Sequence, residues 1–323
     1  MTMKRFILFF GLLACFNCTN AQDSARAASP DTVRVGIYIT SIHDIDFKQK
    51  EYNVNFWLWL KYRNKDFDFL QNLEIPNAKN FTKSYSTIDT SNGMVYIVMK
   101  LQCEMKDSWK IGNFPFDRQR LRIHFENSQY DSRSLVFVAD TLGNHFDPRF
   151  TLSGWTIDSC RLSVATKAYE TAFGDETLAK PHMEYSSFRV ILGIKREAGG
   201  LFWKMFLGMY IAFLIAYICF YIHADGVDSR FGLSVGALFA VIGNKYIIDS
   251  ALPESTSFTL VDTLHGITLF FIFCVIAATA YSMKLVKNHK IKQANRFDMI
   301  TAQVLLLLYI LLNVYFIATA SGS

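Results

Sequence analysis

The chain has 323 residues, of which 51% are hydrophobic and 15% aromatic, with 29 Phe. That apolar load is heavy for a chain that meets only water, and a net charge of +5 without a long basic tract argues against a nucleic-acid partner. Six scattered cysteines do not make a disulfide scaffold.

Residues 1 to 21 carry Lys4 and Arg5, an apolar core from Phe6 to Phe16, and small residues ending at Ala21. This is the pattern of a cleaved export signal. A lipoprotein cleavage site at Leu12-Leu13-Ala14-Cys15 is a weaker reading, because Leu13 fits it poorly. The following domain is therefore expected outside the cytosol, where Cys103 and Cys160 either bridge or stay as buried free thiols.

From Thr32 the chain runs in short alternating strands separated by turn residues. Val33, Val35, Ile37 and Ile39 alternate with polar neighbours, and Val54, Phe56, Leu58 and Leu60 alternate with Trp57, Trp59 and Lys61. Further strands are expected at Val95–Met99, Leu121–Phe125, Leu135–Val138, Trp155–Leu162 and Phe188–Ile194. Turn residues stand at Asp89–Gly93, Gly112-Asn113 and Gly143-Asn144. Residues 30–198 thus read as an all-β, immunoglobulin-like sandwich.

At Gly199-Gly200 the texture changes to lipid-like runs, and residues 199–323 read as an all-α domain of four spans, about 201–222, 229–251, 258–284 and 298–319. The link from Met283 to Asp298 carries Lys284, Lys287, Lys290, Lys292 and Arg296, which assigns it to the cytosol and the N-terminal domain to the far side. That orientation agrees with the export signal.

Within the second span, helical steps from Gly232 give Gly236, Phe239, Gly243, Tyr246 or Ile247, and Ser250. A glycine-rich stripe with one ring in its middle is either a close helix-packing face or the wall of a water-filled path. Asp228, with Asp225 close by, would place carboxylates at the cytosolic mouth of such a path. Lys245 and Asp249 stand four apart and can pair on the helix surface. His265 lies in the third span, where an ionisable residue either senses protons or hydrogen-bonds a neighbouring helix. The histidines have no zinc spacing. No nucleophile constellation, phosphate loop or paired acid site is present, so neither metal, cofactor nor enzyme activity is expected.

Several of these stretches together resemble the pentameric ligand-gated ion channels, the Cys-loop receptor superfamily. They are Ser41–Asp46, Trp57–Asn64, Phe114–Gln119, Gly154-Trp155, Arg196, and Arg230 with Leu252-Pro253. Arg230 and Pro253 keep the family's interval between the inner and outer ends of the pore helix. The positions of the two cysteines that name the family hold Asp107 and Leu121, and the cytosolic link is short, which resembles the prokaryotic branch. The first span also lacks the family's usual proline.

The resemblance implies a homopentamer in a bacterial inner membrane, with a periplasmic sandwich and the Gly232 stripe lining a pore gated at Phe239. Asp228 and Asp225 would favour monovalent cations, with Arg230 facing away from the lumen. It implies coupling between domains through Asp44 or Asp46, the Phe114-Pro115-Phe116-Asp117 loop, Arg196 and Pro253. It also implies an aromatic box between subunits from Trp57, Tyr130, and Tyr169 or Phe173, for a small-molecule agonist; protons are the other candidate stimulus. The box lacks the family's Trp, the position before Pro76-Asn77 being Glu74-Ile75. The competing class is a membrane-anchored sensor or binding module that passes no ions.

Overall fold

The computed structural model describes residues 29–174, 176, 181–223 and 226–322. The export signal read at residues 1–21, and Asp225, lie outside the described residues.

Among the described residues, nine strands form two facing sheets. The first has the order β4-β5-β2-β1-β7 and the second β3-β6-β9-β8. The elements are β1 (Asp31–Asp46), β2 (Glu51–Tyr62), a one-turn helix α1 (Phe69–Asn72), β3 (Leu73–Glu74), β4 (Ala78–Ser91), β5 (Met94–Lys106), β6 (Arg118–Asn127), β7 (Leu135–Ala139), β8 (Trp155–Tyr169) and β9 (Met183–Arg196). The alternation in sequence becomes the core directly. The pairs Val35↔Leu60, Ile37↔Leu58 and Ile39↔Phe56 are in register across β1 and β2, and all six side chains are fully buried. A side-chain period of two sends every second residue inward, so a single slip in register would turn this set to water. Phe56 crosses to the second sheet, with its ring 5.5 Å from that of Phe125, which in turn stacks on Phe188.

β3 and β4 are the strands without a sequence signal, β3 because it is only Leu73–Glu74. β4 is an edge strand with no buried residue, so nothing in it alternates between apolar and polar. The turn expected over Asp89–Gly93 narrows to Asn92 and Gly93. Both have positive φ (52° and 71°), as the tight hairpin joining β4 to β5 requires. Cys103 in β5 and Cys160 in β8 are free thiols on different sheets. Burial pushes the Cys103 thiol up to about 12.

Among the described residues four long helices follow: α2 (Ala198–Ile218, extended by a turn to Tyr221), α3 (Val227–Ala251), α4 (Leu260–Lys287) and α5 (Ile291–Ser321). Each is long and apolar enough to cross a membrane, and the chain is a multi-pass membrane protein. The basic residues read as a link from Met283 to Asp298 are mostly helical, and residues 288–290 alone join α4 to α5. α4 begins with a reciprocal cap: Thr259 accepts from the Asp262 backbone N–H and Asp262 accepts from that of Thr259.

Candidate functional site: the domain junction and the free face of α3

The sandwich meets the helices through its last strand and one loop. Arg196, at the end of β9, lays a two-pronged bond on Asp117, with Nε to Oδ1 at 2.7 Å and Nη2 to Oδ2 at 3.2 Å. The Asp117 side chain is 1% exposed and that of Arg196 11%. Gln119 donates a further bond to Asp117 Oδ2 at 2.6 Å. The guanidinium lies 4.0 Å from the centre of the Trp155 ring, 4.5 Å from Phe47 and 4.8 Å from Phe114. A charge here is thus paired, hydrogen-bonded and caged by rings, the arrangement in which burial is tolerated.

The rest of the loop reaches the helices. The Phe114–Pro115 bond is cis and Phe114 is buried. Phe116 packs its ring 5.6 Å from that of Phe202 on α2. Just before them, the Gly112 carbonyl accepts from the Leu260 N–H, the first residue of α4, at 2.8 Å. Pro253 is buried at the α3–α4 turn.

Asp44 and Asp46 take no part in the ion pair. Asp44, itself at positive φ (53°), is held by His43 and Asn53, whose hydrogen bonds keep its carboxyl below the usual range. Asp46 accepts from the Gln49 backbone. Both instead line a cavity of about 740 Å³ with Arg196, Lys204, Asn244 and Leu252. The expected charge cluster is therefore reduced in this chain to the Asp117–Arg196 pair, with the neutral Gln119 bonded to it, while Asp44 and Asp46 share only a cavity wall with Arg196. The reason is local: the hairpin uses its own acids to close its turn.

Asp107, at one missing cysteine position, is also informative. Its buried carboxylate accepts from Arg122 Nε (3.0 Å) and Nη2, and from the Arg122 backbone N–H at 3.1 Å. Charge-assisted hydrogen bonds thus close the Phe-Pro-Phe-Asp loop beside Leu121.

α3 divides into two faces. Arg230, Ser234, Ala237, Val241 and Ile248 are buried against the other helices. Gly232, Gly236, Phe239, Gly243, Tyr246, Ile247 and Ser250 are all exposed in the single chain, with Phe239 at 67%. At about 100° of turn per residue, these two sets lie on opposite sides of one helix. A side chain added at Gly232, Gly236 or Gly243 would meet nothing within 4 Å. The small-residue stripe is therefore not packed against this chain's own helices.

Arg230 belongs to the packed face. Its Nη2 bonds Asp298 Oδ2 on α5 at 2.8 Å, its Nε and Nη2 reach the Ile222 carbonyl, and Ser282 on α4 also donates to Asp298. The Arg230 and Asp298 side chains are 1% and 4% exposed. Asp228 stays exposed on the first turn of α3. Lys245 bridges Asp249 (2.5 Å) to Asp262 on α4 (2.8 Å), and His265 bonds Asn244 on α3. Ser282 and Asn244 escaped the sequence reading, Asp298 entered it only as the end of the basic link, and Gln119 entered it only as the end of the Phe114–Gln119 stretch, with no role. Asp298 did leave a trace, as a lone acid at the head of an otherwise charge-free span.

The aromatic box is not assembled within one chain. Tyr169 and Phe173 do meet, at 5.6 Å, with Tyr185 as an unanticipated third ring. Tyr169 donates to Glu126 at 2.8 Å, and burial and that carboxylate push its phenol well above the ordinary value. Tyr130 turns instead to Phe67 (4.7 Å) and bonds the Asp66 carbonyl. Trp57 is on the other sheet against Tyr85, with Lys100 Nζ 5.7 Å from its ring centre.

A β-sandwich followed by four apolar helices matches the extracellular β domain and four-helix transmembrane domain of the Cys-loop-type ligand-gated channels. Comparison with known proteins agrees. The chain is 23% identical over 293 residues to the proton-gated ion channel of Gloeobacter violaceus, covering 83% of this chain and 78% of that one. It is 22% identical over 223 residues to the glutamate-gated chloride channel of Drosophila melanogaster, covering 66% of this chain and 43% of that one. It is 20% identical over 301 residues to an acetylcholine-gated chloride channel subunit of Caenorhabditis elegans, covering 84% of this chain and 65% of that one. No family model matches the chain. Its homologues are pentameric ligand-gated ion channels and not enzymes.

Proposed function

We propose that five identical copies surround an aqueous axis lined by α3, forming a ligand-gated channel that favours monovalent cations. The observation that carries this reading is the division of α3. The helix keeps two exposed rings, Phe239 at its middle and Tyr246 further out, on a face whose glycines meet none of this chain's other helices. The Phe239 ring repeated five times makes an apolar constriction, which stops ions because they shed hydration there without replacement ligands.

The charge at the inner mouth supports cations. Arg230, the base nearest that mouth on α3, is neutralised on the opposite face by Asp298, while Asp228 remains exposed. Five exposed carboxylates concentrate cations at an entrance. Two of the relatives above are named as chloride channels, so ion preference is a property of this chain's own residues.

A stimulus in the sandwich would act through the Asp117–Arg196 pair and the Gly112–Leu260 bond, because these connect β6 and β9 to the starts of α2 and α4. The periplasmic placement of the sandwich in a bacterial inner membrane, with surrounding lipid, rests on the basic residues at the α4–α5 turn. The agonist site falls between subunits, with Tyr169, Phe173 and Tyr185 on one side and Trp57 supplied by the neighbour. Lys100 already occupies the Trp57 face, so an amine there would have to displace it. The test is ion flux from liposomes holding the purified protein, scanned over pH and a panel of small amines and acids. The proposal expects stimulus-dependent cation flux; a protein that binds a stimulus yet passes no ion under any condition is a sensor instead.

A further inference from the structure

His265 sits on α4 with no exposure to solvent, and both of its ring nitrogens face oxygen. Nδ1 lies 2.8 Å from the Val261 carbonyl, one turn earlier in the same helix. Nε2 lies 3.0 Å from Asn244 Oδ1 on α3. A backbone carbonyl only accepts hydrogen bonds, so Nδ1 must donate. The Asn244 amide is oriented by its other contact, Nδ2 donating to the Met205 carbonyl of α2 at 3.1 Å. Turning that amide over would set Oδ1 against the Met205 oxygen, two acceptors facing each other. Asn244 Oδ1 therefore faces His265, and Nε2 must donate as well.

A neutral imidazole has one N–H and one lone pair. Either neutral tautomer leaves a lone pair pointed at an oxygen within 3.0 Å. The chain Met205–Asn244–His265–Val261 is satisfied at every contact only when the ring carries both protons. We infer that His265 is an imidazolium in this conformation and forms a proton-dependent tie between α3 and α4.

Charged groups act on it in both directions. Lys245 on α3 is bonded to Asp249 on α3 and to Asp262 on α4; the two carboxylates favour a charged ring, whereas Lys245 and the ring's burial oppose it. One base and two acids sum to −1, and the imidazolium brings the group to neutrality. From α2 the ring meets Phe206, an apolar neighbour at 5.6 Å. Loss of the proton breaks the Asn244 or the Val261 contact and loosens the helix that carries Phe239. The tie itself does not depend on ion conduction; its effect on flow rests on the channel reading above.

The test is ¹⁵N NMR of histidine-labelled full-length protein in lipid nanodiscs, with His265 assigned by difference against His265→Gln. Should that variant fail to fold, His265→Asn supplies the same difference assignment. The inference expects both His265 nitrogens to show the imidazolium signature at pH 6. Replacing the amide by a carboxylate in Asn244→Asp should raise the pH midpoint of that signature by about 1 unit or more, as an opposite charge at contact distance does. A signal with one protonated and one bare nitrogen down to pH 5 overturns it, as does an unmoved midpoint in Asn244→Asp. If liposomes show no flux at any pH, the channel reading falls while these spectra still decide the tie.

Discussion

Removing Asp298 is the sharpest perturbation of the helical domain. The Arg230 guanidinium is 1% exposed, with Asp298 as its charged partner and the Ile222 carbonyl as its other acceptor. Asp298→Ala leaves a buried cation with one carbonyl and also strips Ser282 of its acceptor. Breaking a buried pair from one side costs about 3–5 kcal/mol, because the remaining charge keeps its desolvation penalty. Replacing both members by apolar residues of similar size removes that penalty, so Arg230→Met with Asp298→Leu should recover most of the loss. At roughly 2–4 °C per kcal/mol, the single variant should melt on the order of 10 °C lower. The assay is thermal unfolding in detergent, followed by tryptophan fluorescence, on wild type, both single variants and the double. Additive losses, with the double variant no more stable than the worse single, would refute the view that Arg230 is locked to α5 rather than facing the lumen.

Phe239→Ala should raise resting conductance in planar bilayers, since it opens an apolar ring; unchanged leak and activation would remove Phe239 as the gate. Asp228→Lys should shift the reversal potential in asymmetric salt towards lower cation preference, and an unmoved potential would end the selectivity claim. In the sandwich, burial and then the nearby Glu126 raise the Glu74 carboxyl above its ordinary value. The folded state then holds that proton more tightly than the unfolded chain does, so this group's contribution is lost as pH climbs from about 4.5. Glu74→Gln should therefore raise the melting temperature slightly at pH 7 and leave it unchanged at pH 4, by well under 1 kcal/mol for so solvated a group. A decrease at pH 7 would contradict this.

The sandwich was legible in the chain wherever a strand has a wet face and a dry one. Val33 to Ile39 and Val54 to Leu60 alternate in sequence because they alternate between core and surface in the fold. β4 was invisible because an exposed edge strand buries nothing. The stripe on α3 was legible for the same reason as the strands: one periodicity sorts residues onto one face. What periodicity does not carry is the identity of partners across elements. Asp117 and Arg196 were both singled out, yet Asp44 and Asp46 were grouped with them because sequence gives proximity of segments and not direction of side chains. Asp298 as the partner of Arg230, and Asn244 as that of His265, are contacts between separate helices, the first pair far apart in the chain and the second on successive helices, and no local pattern marks them. The aromatic box was the least legible part, since rings in a sandwich serve the core and a binding site with the same residue types.

The most direct test of an aqueous path along α3 is cysteine accessibility along that helix, read as block of ion current by a charged thiol reagent. It is done in a background with Cys103, Cys160, Cys219 and Cys274 replaced. Cysteines placed at Gly236, Phe239, Gly243 and Ser250 should react and block, while those at Ser234, Ala237 and Val241 should not. Equal protection of both sets would mean that the glycine face is buried against protein, and the channel would have to run elsewhere or not exist.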